Sequence, residues 1–222
     1  MNKLKFLFLF SGFITGLMAQ QPFRCGTVFV DPRDGQKYPT VLIGNQCWMA
    51  KNINTGKQVQ YTAQRNNGII EKTCYQNLKA NCDTFGGLYT WGEAVQYDSG
   101  SSKKIQGVCP AGWHVPTVEE WRELYKTAGH AQALKVTKEN IPAWDGNNTT
   151  GFSALPGGLA YDNVFGRKGD WAIFWTATSV NPEYAWSVEM DNYYLHLGTY
   201  TDVVITNTYL TLNAFSIRCI KD

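Results

Sequence analysis

Glu189 and Asp191 stand two residues apart in a stretch of alternating character. On an extended strand they share a face and sit about 6–7 Å apart. Carboxylate pairs at such a separation carry out glycoside hydrolysis. Solvated strand carboxylates are far commoner, so no catalytic residue is assigned and hydrolysis is kept as the alternative. A second chemistry lies in aromatic rings set among polar groups. Tyr161, Asp162 and Asn163 lead to Arg167, Asp170 and Trp171 in one polar loop. Asp191, Asn192, Tyr194 and His196 form another such cluster, with Tyr193 and Tyr200 beside it. Strand alternation puts Tyr194 and His196 on one face. Rings stack on the apolar C–H faces of a sugar while polar groups meet its hydroxyls. The plain alternatives are a Trp171 ring folded back on the core and ordinary cross-strand pairing for the tyrosines.

Oxygen ligands for calcium are offered by Asp145, Asn147 and Asn148, although calcium needs six to eight and a simple turn accounts for the same residues. No other cofactor is expected. Zinc is disfavoured because the cysteines contain no C-x-x-C pair and the histidines do not cluster. The cysteines at 25, 47, 74, 82, 109 and 219 are even in number, which in an exported chain favours bridges. Cys74 and Cys82 flank a short polar loop and are expected to pair locally. Cys25 and Cys47 bracket Val28–Val30, the Asp34-Gly35 turn and Val41–Ile43, so a hairpin would bring them together. Cys109 is left with Cys219, a closure worth roughly 4–5 kcal/mol in the chain-entropy picture.

These residues need elements to hold them. The clearest is a helix introduced by Cys109-Pro110-Ala111-Gly112-Trp113-His114-Val115-Pro116. Thr117 and Glu120 have capping-box spacing, and Val118, Trp121, Leu124, Tyr125 and Ala128 form one apolar stripe. Gly129 ends it. Leu88, Trp91 and Val95 predict a shorter helix over 88–96. Thr55–Asn67 reads as a polar loop, Leu134–Val136 as a short strand, and 145–148 as a turn. Strands are predicted over 152–154, 158–161, 173–177, 184–190, 193–197, 203–206 and 215–220. The alternation of Trp186-Ser187-Val188-Glu189-Met190 predicts a half-buried strand. Trp48, Trp91, Trp113, Trp121, Trp175 and Trp186 are expected in the core. Helices early and strands late give an α+β class.

Lys3 and Lys5 precede an apolar run over 6–18 with Ala19 after it, the pattern of a signal peptide at 1–19. The run is too short to span a bilayer well, so the chain is not expected to be membrane-spanning. The full sequence has 20 basic and 18 acidic residues, and two of the basic ones belong to the signal. The balanced remainder gives no electrostatic case for nucleic acid. Residues 20–222 are read as a single domain, with 20–50 its N-terminal hairpin part.

Several blocks resemble a known family. They are Asp34-Gly35-Gln36-x-Tyr38, Ile43-Gly44-Asn45-Gln46-x-Trp48-Met49-Ala50-x-Asn52, Gly87-Leu88-Tyr89-Thr90-Trp91, and the segment Cys109–Pro116. Gly151-Phe152-Ser153-Ala154-Leu155-Pro156-Gly157-Gly158, Phe174-Trp175-Thr176-x-Thr178 and Phe215-Ser216-Ile217-Arg218-Cys219 complete the set. In order and in content they resemble the Fibrobacter succinogenes major paralogous domain, a family of exported bacterial proteins. The resemblance implies a C-type-lectin-like fold, similar also to formylglycine-generating enzymes. It makes His114 a scaffold residue rather than a base. The reactive metal-binding cysteines of the formylglycine-generating enzymes are not carried over, since all six cysteines here have bridge partners. The lectins' Glu-Pro-Asn calcium signature is absent; Asn181-Pro182-Glu183 has it reversed. The expectation is an exported, non-catalytic module on a bacterial surface, in the periplasm or outside the cell. It would recognise a glycan or another surface protein through loops between Asp145 and Asn213. The alternatives are an enzyme acting on extracellular polysaccharide and a structural subunit of a surface assembly.

Overall fold

The structure is a computed structural model that describes residues 23–98, 104–191 and 205–222. The expected signal peptide, the strand expected over 193–197, and the site candidates Asn192, Tyr194 and His196 lie outside the described residues. In chain order the strands and helices are β1 (Val28–Val30), β2 (Lys37–Ile43), β3 (Gln46–Met49), β4 (Lys57–Gln58), β5 (Glu71–Lys72) and α1 (Lys79–Phe85). They continue with β6 (Tyr89–Thr90), α2 (Trp91–Ala94), β7 (Trp113–His114), α3 (Val118–Ala128), β8 (Leu159–Tyr161) and β9 (Val164–Gly166). The last are β10 (Ala172–Ser179), β11 (Tyr184–Met190), β12 (Ile205–Leu210), β13 (Ala214–Phe215) and β14 (Ile220–Lys221). Small strands with a few short helices make the class α+β. No helix among the described residues is long and apolar enough to cross a membrane.

The early chain and the chain's end build one sheet together, in the order β1-β2-β3-β14-β7. Its first hairpin turns where Asp31, fully buried, pairs with Arg33 at 2.7 Å. Arg33 also donates to the carbonyls of Val108 and Cys109, so this turn is tied to the lead-in of α3. A second sheet runs β10-β11-β12, and a third β6-β13-β8-β9. The bridges join Cys25 to Cys47, Cys74 to Cys82 and Cys109 to Cys219, the pairs expected from the sequence.

Helix α3 is where local chemistry and packing agree most closely. Thr117 Oγ1 accepts from the Glu120 N–H while Glu120 Oε2 accepts from the Thr117 N–H at 2.8 Å, and Gly129 at φ +79° stops the helix. Its apolar stripe buries Trp121, whose ring lies 4.9 Å from Trp48, 5.1 Å from Phe174 and 5.7 Å from Phe152. Such tilted and edge-on contacts add to the area the rings bury. Glu120 has a second partner. His114, buried, lies 2.9 Å from Glu120 Oε1 through Nε2 and 2.7 Å from Asp222 Oδ1 through Nδ1. The helix start, β7 and the last residue of β14's segment therefore meet at one imidazole, the scaffold role expected of it.

Elsewhere packing overrode the local pattern. Only Trp91–Ala94 of the helix predicted over 88–96 is helical, because Leu88 bridges Thr73 and Tyr89–Thr90 pair with β13. α1 occupies a stretch read as polar loop; only Cys82 is buried, and the Cys74–Cys82 bridge and a Lys79–Asp83 pair of 2.8 Å hold it. The strands predicted at 134–136 and 152–154 reduce to a single bridge, Lys135 to Ala154. The strand predicted over 215–220 splits into β13 and β14, and of the one over 203–206 the described residues, 205 and 206, begin a longer β12. β11 is not half-buried: every residue from Ser187 to Met190 is buried, with Val188 and Met190 in the core cluster around Trp121 and α3 lying against the strand. Trp48, Trp113, Trp121 and Trp175 are core, whereas Trp91 and Trp186 are only half-buried.

Thr117→Ala should cost about 1 kcal/mol, and Trp121→Ala, which opens a cavity among three rings, about 3–5 kcal/mol. Urea midpoints measure both. The Glu120 carboxyl gives a pH dependence. Burial alone would raise it, but hydrogen bonds from His114 and Thr117 outweigh this and hold it below its ordinary value of 4.5. A carboxyl so depressed stabilises the fold above its unfolded value and loses that contribution as pH falls through the folded one. Stability should therefore decline as pH drops below about 4.5, and Glu120→Gln should flatten that limb of the denaturation-versus-pH curve.

Candidate functional site

Strands β8 and β9 form a tight hairpin in which Tyr161 faces Val164. The two residues between them, Asp162 (φ +44°) and Asn163 (φ +62°), both adopt the left-handed backbone that such two-residue turns require. Asp and Asn are among the residues that tolerate it. After β9 the chain doubles back: the Trp171 N–H donates to Arg167 O and the Gly158 N–H to Trp171 O, each at 2.9 Å. Gly158 lies at φ +71°, and a Cβ there would stand 2.5 Å from Gly166 O. Only glycine lets the hairpin and the returning loop approach so closely. The loop presents Arg167 with its guanidinium 4.7 Å from the centre of the Trp171 ring. Trp171 is half-buried and rests against the core, so neither alternative for it holds alone; the ring is both anchored and open to the cleft.

The facing wall comes from segments distant in sequence. Tyr61 sits in a short 3-10 turn and donates its hydroxyl to Leu212 O at 2.6 Å. Burial and the neighbouring Asp162 carboxylate both push that phenol up from its ordinary value. Gln64 fixes this loop to the sheet, donating to Thr73 Oγ1 and Leu88 O and accepting from the Thr90 N–H at 2.8 Å. Tyr209 of β12 meets Phe215 edge-on at 5.2 Å. Between these walls lies a cleft of about 770 Å3, within the range of small-molecule sites.

Tyr161, Asp162, Asn163, Arg167 and Trp171, all picked out in the sequence, line this cleft together. The side-chain polar ends of Thr62, Tyr161, Asp162, Asn163, Arg167 and Asn213 make no hydrogen bond or ion pair with any described residue. Asp170 is exposed in the same loop but does not line the cleft. Asp191 belongs to a different neighbourhood: its carbonyl accepts from Lys135 Nζ at 2.8 Å. The same buried ammonium pairs with Asp145 at 2.7 Å and lies 4.7 Å from the Trp144 ring. Glu189 is buried on β11 opposite Ile173, so the carboxylates considered for hydrolysis are not on the cleft. Of the calcium candidates, Asp145 serves Lys135, Asn147 accepts from the Thr149 N–H, and Asn148 bonds Ser153 through both ends of its amide. No group of three His, Cys, Asp or Glu among the described residues is placed to hold a metal.

Sequence reasoning missed the Tyr61–Gln64 wall, along with Tyr209. A signal for the first was present, since Tyr61 stands among Gln60, Thr62 and Gln64, the same ring-in-polar-loop pattern that marked Trp171. The geometry separates two kinds of residue. Gly158→Ala should destabilise by about 1–3 kcal/mol, because it forces a strained backbone as well as a clash. Tyr161→Ala, exposed at the hairpin tip, should stay within about 0.5 kcal/mol of wild type. Thermal denaturation of both variants checks the difference.

The model of the Fibrobacter succinogenes major domain matches residues 41–221, which contain both cleft walls. No curated protein and no solved structure matches the chain. The match spans most of the sequence and all but the first of the blocks that carried the resemblance: the chain belongs to the Fibrobacter succinogenes major domain family.

Proposed function

We propose that this chain is an exported, non-catalytic binding module with a C-type-lectin-like α+β fold, and that its cleft recognises a glycan on or near a bacterial surface. The observation that carries the proposal is the cleft's division of labour. Tyr61, Tyr161, Trp171 and Tyr209 offer ring surface, while a guanidinium, a carboxylate, two amides and two hydroxyls make no hydrogen bond or ion pair among the described residues. Sugars present both apolar faces and dense hydroxyls, and few other small ligands need the two in such proportion. Export accords with three disulfides, which persist in oxidising compartments, and with the signal pattern at 1–19. Among the described lining residues Asp162 is the carboxylate, whereas glycoside hydrolysis generally uses a facing pair, so we read the site as a binding one.

Glycan-array binding of the mature chain, with and without calcium, tests the reading. Binding is expected, and Trp171→Ala should weaken it by about 1–3 kcal/mol, as loss of an aromatic anchor does. A blank array with capture of a surface protein would move the ligand to that class. Glycan turnover that vanishes in Glu189→Gln would replace the module with an enzyme.

A further inference from the structure

The cleft does not end at its inner wall. Gln64, Thr90 and Leu212 form a ridge that also lines a second hollow of about 370 Å3. Beyond the ridge stand Arg65, Asn66, Trp91, Tyr97, Asp98 and Pro182. Of the two rings that line this hollow, Trp91 and Tyr97, the second is the more exposed. Tyr97 lies against Gly92, where a Cβ would come within 2.7 Å of its ring, and its hydroxyl donates to Glu93 Oε1 at 3.1 Å. Its backbone sits at φ +57°, in the left-handed region, as do those of Asp162, Asn163 and Arg167 across the ridge. Such conformations carry a cost and persist where the surroundings impose them. The two hollows thus repeat one composition, a half-exposed ring fixed from behind with polar side chains around it. Each also has an arginine and an aspartate among its described lining residues, Arg167 and Asp162 in the first and Arg65 and Asp98 in the second.

We propose that the two hollows form a single groove for an uncharged oligosaccharide several units long, lying across the Gln64–Thr90–Leu212 ridge with one end on Trp171 and the other on Tyr97. This rests on the glycan reading of the first cleft and extends it. A single sugar would occupy one hollow and leave the second ring unused. A polyanionic chain would meet an aspartate as well as an arginine in each hollow, whereas an uncharged chain meets no like charge.

Titration calorimetry of the mature chain tests this with uncharged gluco-, manno- and xylo-oligosaccharides of two, four and six units, and with a hexameric oligogalacturonate. In any series that binds, affinity should rise about tenfold or more from two units to six, the contribution of a second aromatic anchor. Tyr97→Ala should remove most of that gain and leave the disaccharide unchanged. The double substitution Arg65→Ala with Asn66→Ala, both exposed and without a role in the core, should reduce the same gain while the melting temperature holds. Affinity that ignores chain length, with both variants silent, would overturn the groove and leave the glycan reading of the first cleft standing. Tighter binding of oligogalacturonate than of any uncharged hexamer would overturn the uncharged class. If no series binds, the glycan reading falls and the groove with it.

Discussion

Arg218 is a fully buried cation, and among the described residues no carboxylate pairs with it. Its guanidinium donates instead to Asn52 Oδ1, at 2.9 and 2.7 Å, and to the carbonyls of Met49, Phe152 and Ser153. The Phe152 ring lies 4.4 Å from it and Phe174 5.7 Å. Burial lowers its pKa to about 9, which still leaves it charged at neutral pH. A buried charge is tolerable only when its donors are satisfied, and the planar fork of a guanidinium is the group that reaches several carbonyls at once. The consequence is a constraint on two chain segments, 49–52 and 152–153, which must hold their oxygens around one point.

The segment that carries Arg218 joins the sheets to one another. β13 pairs with β6 and β8 under the cleft, Ser216 bridges Phe174 of β10, and the Ile53 N–H donates to Ile217 O. Cys219 is bonded to Cys109, β14 closes the first sheet between β3 and β7, and Asp222 reaches His114. Residues 214–222 therefore tie the first sheet, β10 and the sheet under the cleft to one another. The cleft sits where this segment begins, at Leu212 and Asn213, against walls that Gln64 and Gly158 fix in place. Walls whose backbone is so anchored have little loop entropy left to lose on binding.

How much of this could be read from the residues depends on how local each cause is. Helix α3 was legible because its cap, stripe and terminating glycine all lie within thirteen residues of sequence. The bridges were legible because spacing left few sensible pairings. The Tyr161–Trp171 loop was legible because polar neighbours around a ring mark exposure. The helix read over 88–96 shows the opposite case. Its apolar spacing is real, yet Tyr89 and Thr90 gain more from pairing with β13, more than a hundred residues away, than from helix bonds. Arg218 was invisible as a hub, since Phe215-Ser216-Ile217-Arg218-Cys219 carries no trace of the carbonyls that surround the cation. The second wall of the cleft was hidden for the same reason: Gln64 belongs to it through Thr73, Leu88 and Thr90, contacts that only the folded chain creates.

The central claim is that ligand lies between the Trp171 loop and the Tyr61 wall. The chain's eight tryptophans allow it to be read directly, since each indole N–H gives its own NMR signal. Adding a glycan selected on the array should shift the indole signal of Trp171, and that of Trp91 with longer chains. The signals of Trp48, Trp113 and Trp121, buried under α3 and the first sheet, should stay where they are. Saturable shifts confined to those three, with Trp171 unmoved, would contradict the account.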